Sequence, residues 1–243
     1  MKGCESDIFG NKTPLLAEEK VDYHSFKRQF SASGFSLDML VIWAQIRSFI
    51  KGSIEAVDRG RPLTRAEYVD GPMIGSRRCR LSKAQRAAAY DAYERYEGFL
   101  DSTNNWDDCD RVVKIIKGLK SNNEVRDKYT FSRIYVDEIQ DYTQAEICLF
   151  FLLAGRNGIF FAGDPAQSVV EGVEFRFEEV RSVAHYLYGE EDRKQIPDKP
   201  LVVTRNFRSH AGVLNVASQV SCIAFPMPFL FCFAPADLSL LLL

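Results

Sequence analysis

A short apolar segment that ends in acids is the feature that most constrains the fold of this chain. Residues 131–136 read Phe-Ser-Arg-Ile-Tyr-Val, and residues 137–141 read Asp-Glu-Ile-Gln-Asp. A β-branched and aromatic run of this length, bounded by polar residues, is typical of a buried strand in a parallel sheet. Ligands of such sheets bind at the edge formed by the carboxyl ends of the strands. The segment therefore predicts a strand that delivers carboxylates to a phosphate-binding edge.

The two adjacent acids at this strand end, Asp137 and Glu138, suit metal-assisted phosphoryl chemistry. Mg²⁺ takes one or two protein carboxylates together with waters and substrate phosphates. A second carboxylate one residue further on can accept a proton from an attacking water. A solvated strand end without chemistry is the alternative for this segment taken alone.

The order of strand, helix, strand and polar turn continues along the chain. Residues 142–154 predict a helix, and residues 158–162 predict a second strand that runs into the polar turn 163–168. Residues 201–204 predict a third strand, followed by a polar segment and an apolar helix over 213–220. Alternation of this kind predicts an α/β fold with a parallel sheet whose functional loops lie on one edge.

Three of these segments resemble motifs of the UvrD type of superfamily 1 helicases. Residues 136–141 (Val-Asp-Glu-Ile-Gln-Asp) resemble motif II, residues 162–168 (Ala-Gly-Asp-Pro-Ala-Gln-Ser) motif III, and residues 206–209 (Asn-Phe-Arg-Ser) motif IV. Upstream, residues 41–53 and 63–68 resemble the helical insert of the eukaryotic helicase-like proteins that carry TPR and ankyrin repeats, and residues 106–112 resemble the acidic helix that precedes motif II in those proteins. The resemblance covers roughly residues 22–220.

This resemblance implies an α/β fold of the P-loop NTPase (RecA-like) type, with an incomplete parallel sheet and a large α-helical insert. It also implies a division of the chain into five parts. These are residues 1–128 as the helical insert of the first motor domain, 129–188 as the C-terminal part of that domain with motifs II and III, 189–200 as a connector, 201–220 as the start of the second motor domain with motif IV, and 221–243 as an apolar tail outside the family pattern.

The resemblance further implies ATP and Mg²⁺ as cofactors and single-stranded DNA or RNA as the partner. By matched position, Asp137 would hold Mg²⁺ with Glu138 nearby, and Glu138 would polarise the hydrolytic water. Gln167 would sense the γ-phosphate, and Arg208 would act as an arginine finger. In isolation, Gln167 could instead hydrogen-bond a turn and Arg208 could form a surface ion pair. The other positions assigned to the ATP site, of which the first two would couple it to neighbouring motifs, are Gln140, Asp141, Gly163 and Asp164.

A glycine-rich phosphate loop, which P-loop ATPases need, is not found in this sequence. The nearest candidate, residues 10–13 (Gly-Asn-Lys-Thr), lacks the first glycine and a preceding apolar strand. It is better explained as a helix start with Thr13 as N-cap and Pro14 at the first helical position. Two functions stay open. One is an N- and C-terminally truncated fragment of an ATP-dependent helicase, inactive by itself, and the other is a catalytically inactive helicase-like interaction module.

Composition indicates an intracellular protein, nuclear or cytoplasmic. No apolar signal peptide follows Met1, and the net charge of −2 excludes a polycation that would coat nucleic acid. The six cysteines are scattered without a C-x-x-C pair, so neither zinc nor a disulfide framework is expected. The tail from Cys222 onward is apolar enough to span a membrane, but three prolines and Asp237 argue against a spanning helix. We prefer an aberrant end, such as intron read-through, over a membrane anchor.

Overall fold

In the computed structural model of the chain, the described residues are 7–8, 17–71, 79–164, 177–189, 196, 201–203, 212 and 240–242. They form two hydrophobic cores. Helices between residues 21 and 100 build the first core, which is rich in aromatic side chains. The second core packs helices against the strand pair that carries the predicted acids.

The described part of the chain before residue 129 is helical, as the sequence predicts. Two of its helices begin at side-chain caps that can be read from the sequence. Ser82 and Gln85 form a reciprocal capping box, and Asp107 accepts a hydrogen bond from the Asp110 N–H. The helices are α1 (Tyr23–Phe30), α2 (Met39–Ala44), a π-helix (Gln45–Lys51), α3 (Ile54–Arg59), a short second π-helix (Ala66–Asp70), α4 (Lys83–Thr103), α5 (Asp108–Ser121) and α6 (Asn123–Lys128).

The segment 37–50 differs from the regular helix that its apolar spacing predicts. After Ala44 the α2 helix widens into the π-helix, and six of the seven residues from Gln45 to Lys51 are buried. Apolar spacing alone does not distinguish the two helix types, because a fully buried segment has no polar face to reveal its period. Residues 121–123 (Ser-Asn-Asn) predict a polar break after the preceding helix. In the structure this break is a helix cap, since Asn122 accepts a hydrogen bond from the Val125 N–H and starts α6.

Three tyrosines recur at helical spacing in α4, which predicts that this stripe packs inward. Tyr90, Tyr93 and Tyr96 are all buried in the first core. Phe26 of α1 contacts the Tyr96 ring edge-on, with ring centroids 5.5 Å apart. Aromatic packing of this kind adds to the free energy gained by burying their large apolar surfaces, and it fixes α1 against α4.

The predicted parallel strand pair is present. Strand β1 (Ile134–Val136) pairs in parallel with β2 (Ile159–Gly163), and helix α7 (Gln144–Leu153) connects them. Val136 and Phe161 face the second core, which also includes α8 (Phe177–Tyr188). Because the strands are parallel, the residues after Val136 and after Gly163 emerge at the same edge of the sheet.

The sheet as a whole is mixed, which corrects the prediction of an all-parallel sheet. Strand β4 (Leu240–Leu242) lies between β2 and β3 (Leu201–Val203) and runs antiparallel to both. Its leucines belong to the apolar tail predicted to lie outside the family pattern. A short apolar run indicates a strand but carries no information about its direction, so the sequence could not predict this pairing. The helix predicted over 213–220 lies outside the described residues.

A buried lysine holds three helical segments together. Lys51, the last residue of the π-helix, has a side chain only 1% exposed. Its ammonium donates to Glu97 of α4 at 2.7 Å, to the α5 cap Asp107 at 2.7 Å and to Asp110 at 2.8 Å. Tyr96 donates a further hydrogen bond to Asp107, at 3.0 Å. Nothing in the sequence pattern predicts this cluster, which we call the Lys51 cluster: Lys51, Tyr96, Glu97, Asp107 and Asp110.

The Lys51 cluster shifts the pKa values of its members in different directions. Burial raises the pKa of Glu97 and that of Asp110, where the neighbouring charge of Asp107 adds to the effect. Burial also acts to raise the pKa of Asp107, but the Lys51 charge and hydrogen bond outweigh it, so that pKa is lowered. Burial alone would lower the Lys51 pKa, yet the three carboxylates raise it well above its usual value. The cluster therefore keeps its ammonium and favours extra protons on two acids.

These pKa directions predict that the contribution of the cluster to the free energy of unfolding falls as the pH rises. Above about pH 4, Asp and Glu ionise in the unfolded chain. Glu97 and Asp110 still hold their protons in the folded protein, so the free energy of unfolding falls as the pH rises. Asp107 acts in the opposite sense only below about pH 3.9, because its pKa is lowered. Urea unfolding between pH 4.5 and 8 should give a flatter pH profile for Glu97→Gln than for the unchanged chain. Equal slopes would contradict this account.

Candidate functional site

The acids at the end of β1 lie in a tight turn. Asp137 and Glu138 are both exposed, and the Glu138 N–H donates to Asp137 Oδ1 at 2.9 Å. Glu138 has φ 53° and ψ 44°, the left-handed conformation that side chains other than glycine, asparagine and aspartate seldom adopt. This turn ends the strand's alternation of faces, so that the two neighbouring carboxylates both reach solvent. Strained backbone of this kind is frequent at functional sites.

Gln140 joins the ends of the two strands. Its side chain is fully buried, in the 3₁₀ turn Ile139–Asp141. The amide nitrogen donates to Glu138 Oε2 at 2.5 Å, and the amide oxygen accepts the Asp164 N–H at 3.0 Å. One buried amide therefore orients the Glu138 carboxylate and fixes the first residue after β2. Such a satisfied buried polar link specifies geometry more strictly than apolar packing does.

Gly163, the last residue of β2, allows Gln140 to approach this closely. A Cβ atom at position 163 would lie 2.4 Å from Gln140 Oε1 and 2.8 Å from Ile139 Cγ2. Both distances are shorter than nonbonded contacts allow, and both neighbours are buried with little room to move. Glycine is thus required here for steric reasons, which the sequence motif alone does not reveal.

We expect Gly163→Ala to lower the free energy of unfolding by roughly 1–2 kcal/mol, because an overpacked buried contact forces Gln140 or Ile139 to shift. Urea denaturation measures the change. The matched control is Gly98→Ala in helix α4, where an added Cβ meets no atom within 4 Å. That change should instead raise stability by about 0.5–1 kcal/mol, as alanine does in helices. Equal effects of the two substitutions would contradict the steric role of Gly163.

The start of α7 fixes the C-terminal end of the loop that carries the two acids. Thr143 and Glu146 form a reciprocal capping box, in which the Thr143 N–H donates to Glu146 Oε2 at 2.7 Å. The Asp141 N–H donates to the Glu138 carbonyl at 2.9 Å, which closes the 3₁₀ turn. Residues 137–143, which we call the acidic loop, are therefore fixed at both ends. The Thr-x-x-Glu spacing in the sequence indicates this helix start, although it is not part of the family motifs.

The structure brings together six of the eight residues assigned to the site. Asp137, Glu138, Gln140 and Asp141 lie in the acidic loop, and Gly163 and Asp164 lie beside it at the end of β2. Gln167 and Arg208 lie outside the described residues, so their assignments stay predictions.

The donor set at this edge fits Mg²⁺. Asp137 and Glu138 present exposed carboxylates, the hard oxygen ligands that this ion takes together with waters and phosphates. Elsewhere among the described residues, the carboxylates of Glu97, Asp107 and Asp110 also lie close enough to hold a metal ion. The Lys51 ammonium already bonds all three, so a cation is present there without a metal.

Two further findings concern the wider chemistry of the described residues. Cys79, Cys109 and Cys148 are buried free thiols. Burial raises the pKa of Cys148 to about 12, which keeps that thiol protonated and unreactive at neutral pH. No helix in the described ranges is long and apolar enough to cross a membrane.

Comparison with known proteins places these features in a family. The model of the UvrD/REP helicase N-terminal domain matches residues 59–177, which include the acidic loop and both parallel strands. "TPR and ankyrin repeat-containing protein 1" of Homo sapiens is 35% identical over 208 residues, which cover 82% of this chain and 7% of that protein. An ATP-dependent helicase/nuclease subunit of Streptococcus pyogenes serotype M5 is 30% identical over 108 residues, 43% of this chain and 8% of that protein. The chain thus spans less than a tenth of the length of either relative.

Proposed function

Because the chain belongs to the UvrD/REP helicase family, we propose that the edge at the ends of β1 and β2 is the metal- and water-binding half of an ATP site on a RecA-like domain. The observation that carries this proposal is the Gln140 amide, which bonds both the Glu138 carboxylate and the Asp164 N–H. The two strand ends thereby form one polar site of fixed geometry, with two exposed carboxylates. Fixed geometry is what phosphoryl transfer requires of a protein.

In this proposal the two carboxylates have different roles. Asp137 would hold Mg²⁺, whose charge neutralises the phosphates of bound ATP. Glu138 would accept the proton of the attacking water, and Gln140 would hold the Glu138 carboxylate in one orientation. Asp141 closes the turn that carries both acids. Gln167 and Arg208 would contact the γ-phosphate and stabilise the charge that develops on it.

The proposed activity is ATP hydrolysis coupled to translocation on single-stranded DNA or RNA, in a nuclear or cytoplasmic protein. The streptococcal relative is named as an ATP-dependent helicase/nuclease subunit, and this supports ATP and Mg²⁺ as cofactors. The domain limits 1–128, 129–188, 189–200, 201–220 and 221–243 belong to the same proposal.

A catalytically inactive interaction module is the second candidate. Its support is the lack of a G-x-x-x-x-G-K-[ST] segment in the 243 residues, since that loop supplies the backbone cradle and the lysine that bind phosphates. Under this alternative the acidic loop would keep its shape, because its contacts with Gly163, Asp164 and α7 need no nucleotide.

We expect the 243-residue chain by itself to hydrolyse ATP slowly or not at all, because the carboxylates lack a phosphate cradle. Release of inorganic phosphate with and without Mg²⁺ measures this. Robust Mg²⁺-dependent turnover that Glu138→Gln abolishes would contradict the expectation and would place a complete site within these residues.

The proposed function predicts that a phosphate-binding loop is encoded upstream of Met1. The genomic DNA preceding the Met1 codon should encode, in frame, an apolar strand followed by G-x-x-G-x-G-K-[ST]. The polypeptide extended by that segment should hydrolyse ATP in the presence of single-stranded nucleic acid, and Glu138→Gln should slow it at least about a hundredfold, as loss of a general base does. Unchanged turnover in that variant would contradict the role of Glu138. No turnover in the extended polypeptide, or no such upstream segment, would favour the inactive module.

A further inference from the structure

The Lys51 cluster lies directly beside the support of the acidic loop. Gly52 follows Lys51 in the chain and packs against Thr143, the cap of α7. A Cβ atom at position 52 would lie 3.1 Å from Thr143 Cβ and 2.1 Å from the Arg47 carbonyl oxygen. Because residue 52 is glycine, the backbone that follows Lys51 can pass close to Thr143.

Hydrogen bonds reinforce this contact in both directions. The Ala145 N–H, in the first turn of α7, donates to the Gly52 carbonyl at 2.9 Å. The Ile54 N–H, in the first turn of α3, donates to Gln144 Oε1 at 2.9 Å. The first N–H groups of a helix have no partner within the helix, and here the Gly52 carbonyl and the Gln144 side chain accept from them. The stretch from Lys51 to Ile54, which we call the α7 support, thus holds the first turn of α7.

A short stretch of chain connects the α7 support to the proposed catalytic acids. Thr143 is two residues after Asp141, where the acidic loop leaves its 3₁₀ turn. Thr143, Gln144 and Ala145 are all buried, and the Ala145–Gly52 hydrogen bond holds their backbone against the stretch from Lys51 to Ile54. The position of the acidic loop is consequently tied to the position of Gly52.

We propose that Lys51 is a positioning residue for the carboxylates of Asp137 and Glu138. Its three ion pairs, to two different elements, fix the end of the π-helix in several directions at once. Through Gly52 this fixes the start of α7 and hence the acidic loop. The catalytic consequence rests on the proposed function, whereas the mechanical link stands independently of any nucleotide.

The chemistry of the cluster favours a positioning role over a purely stabilising one. Burying an ammonium with carboxylates costs desolvation energy, and well-packed neutral residues of similar volume usually give equal or greater stability. Directional ion pairs, unlike apolar contacts, hold one residue at one place. Neutralising the whole cluster should therefore leave the helices folded and loosen only what Lys51 positions.

The test is amide hydrogen exchange, followed by mass spectrometry, on the full chain without nucleotide. The principal variant combines Lys51→Met, Glu97→Gln, Asp107→Asn and Asp110→Asn, which removes every charge of the cluster and keeps an N-cap at position 107. The matched control is Lys83→Met, which removes an exposed ion pair with Asp70 at the start of α4. Glu97→Gln alone serves as a milder second variant, because it leaves Lys51 two of its three partners.

We expect the amides of residues 138–145 to exchange about tenfold faster or more in the neutral variant, while those of residues 87–92 of α4, which lie outside the cluster, change less than about twofold. Glu97→Gln should show the same order with a smaller rise, and Lys83→Met should change neither segment. Unchanged exchange in the acidic loop, or an equal rise in both segments, would overturn the inference. If the loop loosens as expected but the upstream-extended polypeptide shows no ATP hydrolysis, the proposed function fails and the positioning role stands.

Discussion

Lys51→Met alone is expected to lower the free energy of unfolding by about 3–5 kcal/mol, because it leaves the buried carboxylate of Asp107 and the half-buried carboxylates of Glu97 and Asp110 without their counter-ion. Lys51 is 1% exposed, and it bonds Glu97, Asp107 and Asp110 at 2.7–2.8 Å. Methionine is one atom shorter than lysine but has nearly the same volume, so the expected loss reflects mainly charge rather than a cavity. Urea denaturation followed by circular dichroism measures the change.

The control for this prediction is the neutral variant of the whole cluster. Removing all four charges together should change the free energy of unfolding much less than Lys51→Met does, since no unpaired buried charge remains. Lys83→Met should stay within about 0.5 kcal/mol, as exposed substitutions do. A Lys51→Met variant as stable as the unchanged chain would show that the cluster carries no net interaction.

Gln140→Met is the second large effect, expected to cost about 2–3 kcal/mol. The substitution leaves the buried Asp164 N–H without its acceptor and releases the Glu138 carboxylate from its donor. An unsatisfied buried donor accounts for about 1–3 kcal/mol, and a hydrogen bond to a charged group for a comparable amount. Because methionine has nearly the same length, packing against Ile139 and Gly163 is kept.

The readout that separates this effect from general destabilisation is the exchange rate of the Asp164 amide, measured by NMR. It should rise by more than the exchange rates of the α5 amides, because the Gln140 side chain bonds Glu138 and Asp164 rather than α5. Gln29→Met, at an exposed position of α1, is the matched control and should stay within about 0.5 kcal/mol. An Asp164 amide that remains protected in Gln140→Met would contradict the bridging role.

Local signals in the sequence predicted most of the elements. The caps at Ser82 and Asp107 gave the starts of α4 and α5, and β-branched runs gave the parallel pair β1 and β2. The π-helix was not predictable, because six of its seven residues are buried and no polar face reveals its period. The direction of β4 was not predictable either, since backbone pairing tolerates both directions.

The candidate site divides in the same way. The positions of Asp137, Glu138 and Asp164 followed from their location at strand ends, and the resemblance added Gln140 as a coupling residue. The left-handed turn at Glu138 was not predictable, since glutamate carries no preference for it. The Lys51 cluster joins residues 46, 56 and 59 positions apart, and no short-range pattern reports pairings over such separations.

Paramagnetic broadening by Mn²⁺, which stands in for Mg²⁺, tests most directly whether the strand ends form a metal-binding edge. In amide NMR spectra of the chain, the signals of Glu138 and Asp164 should broaden together at the lowest Mn²⁺ concentration, and Asp137→Asn should abolish that broadening. Asp101→Asn, at an exposed acid of α4, should leave it unchanged. Broadening that begins at exposed acids such as Asp101 while Glu138 and Asp164 stay sharp would contradict the account.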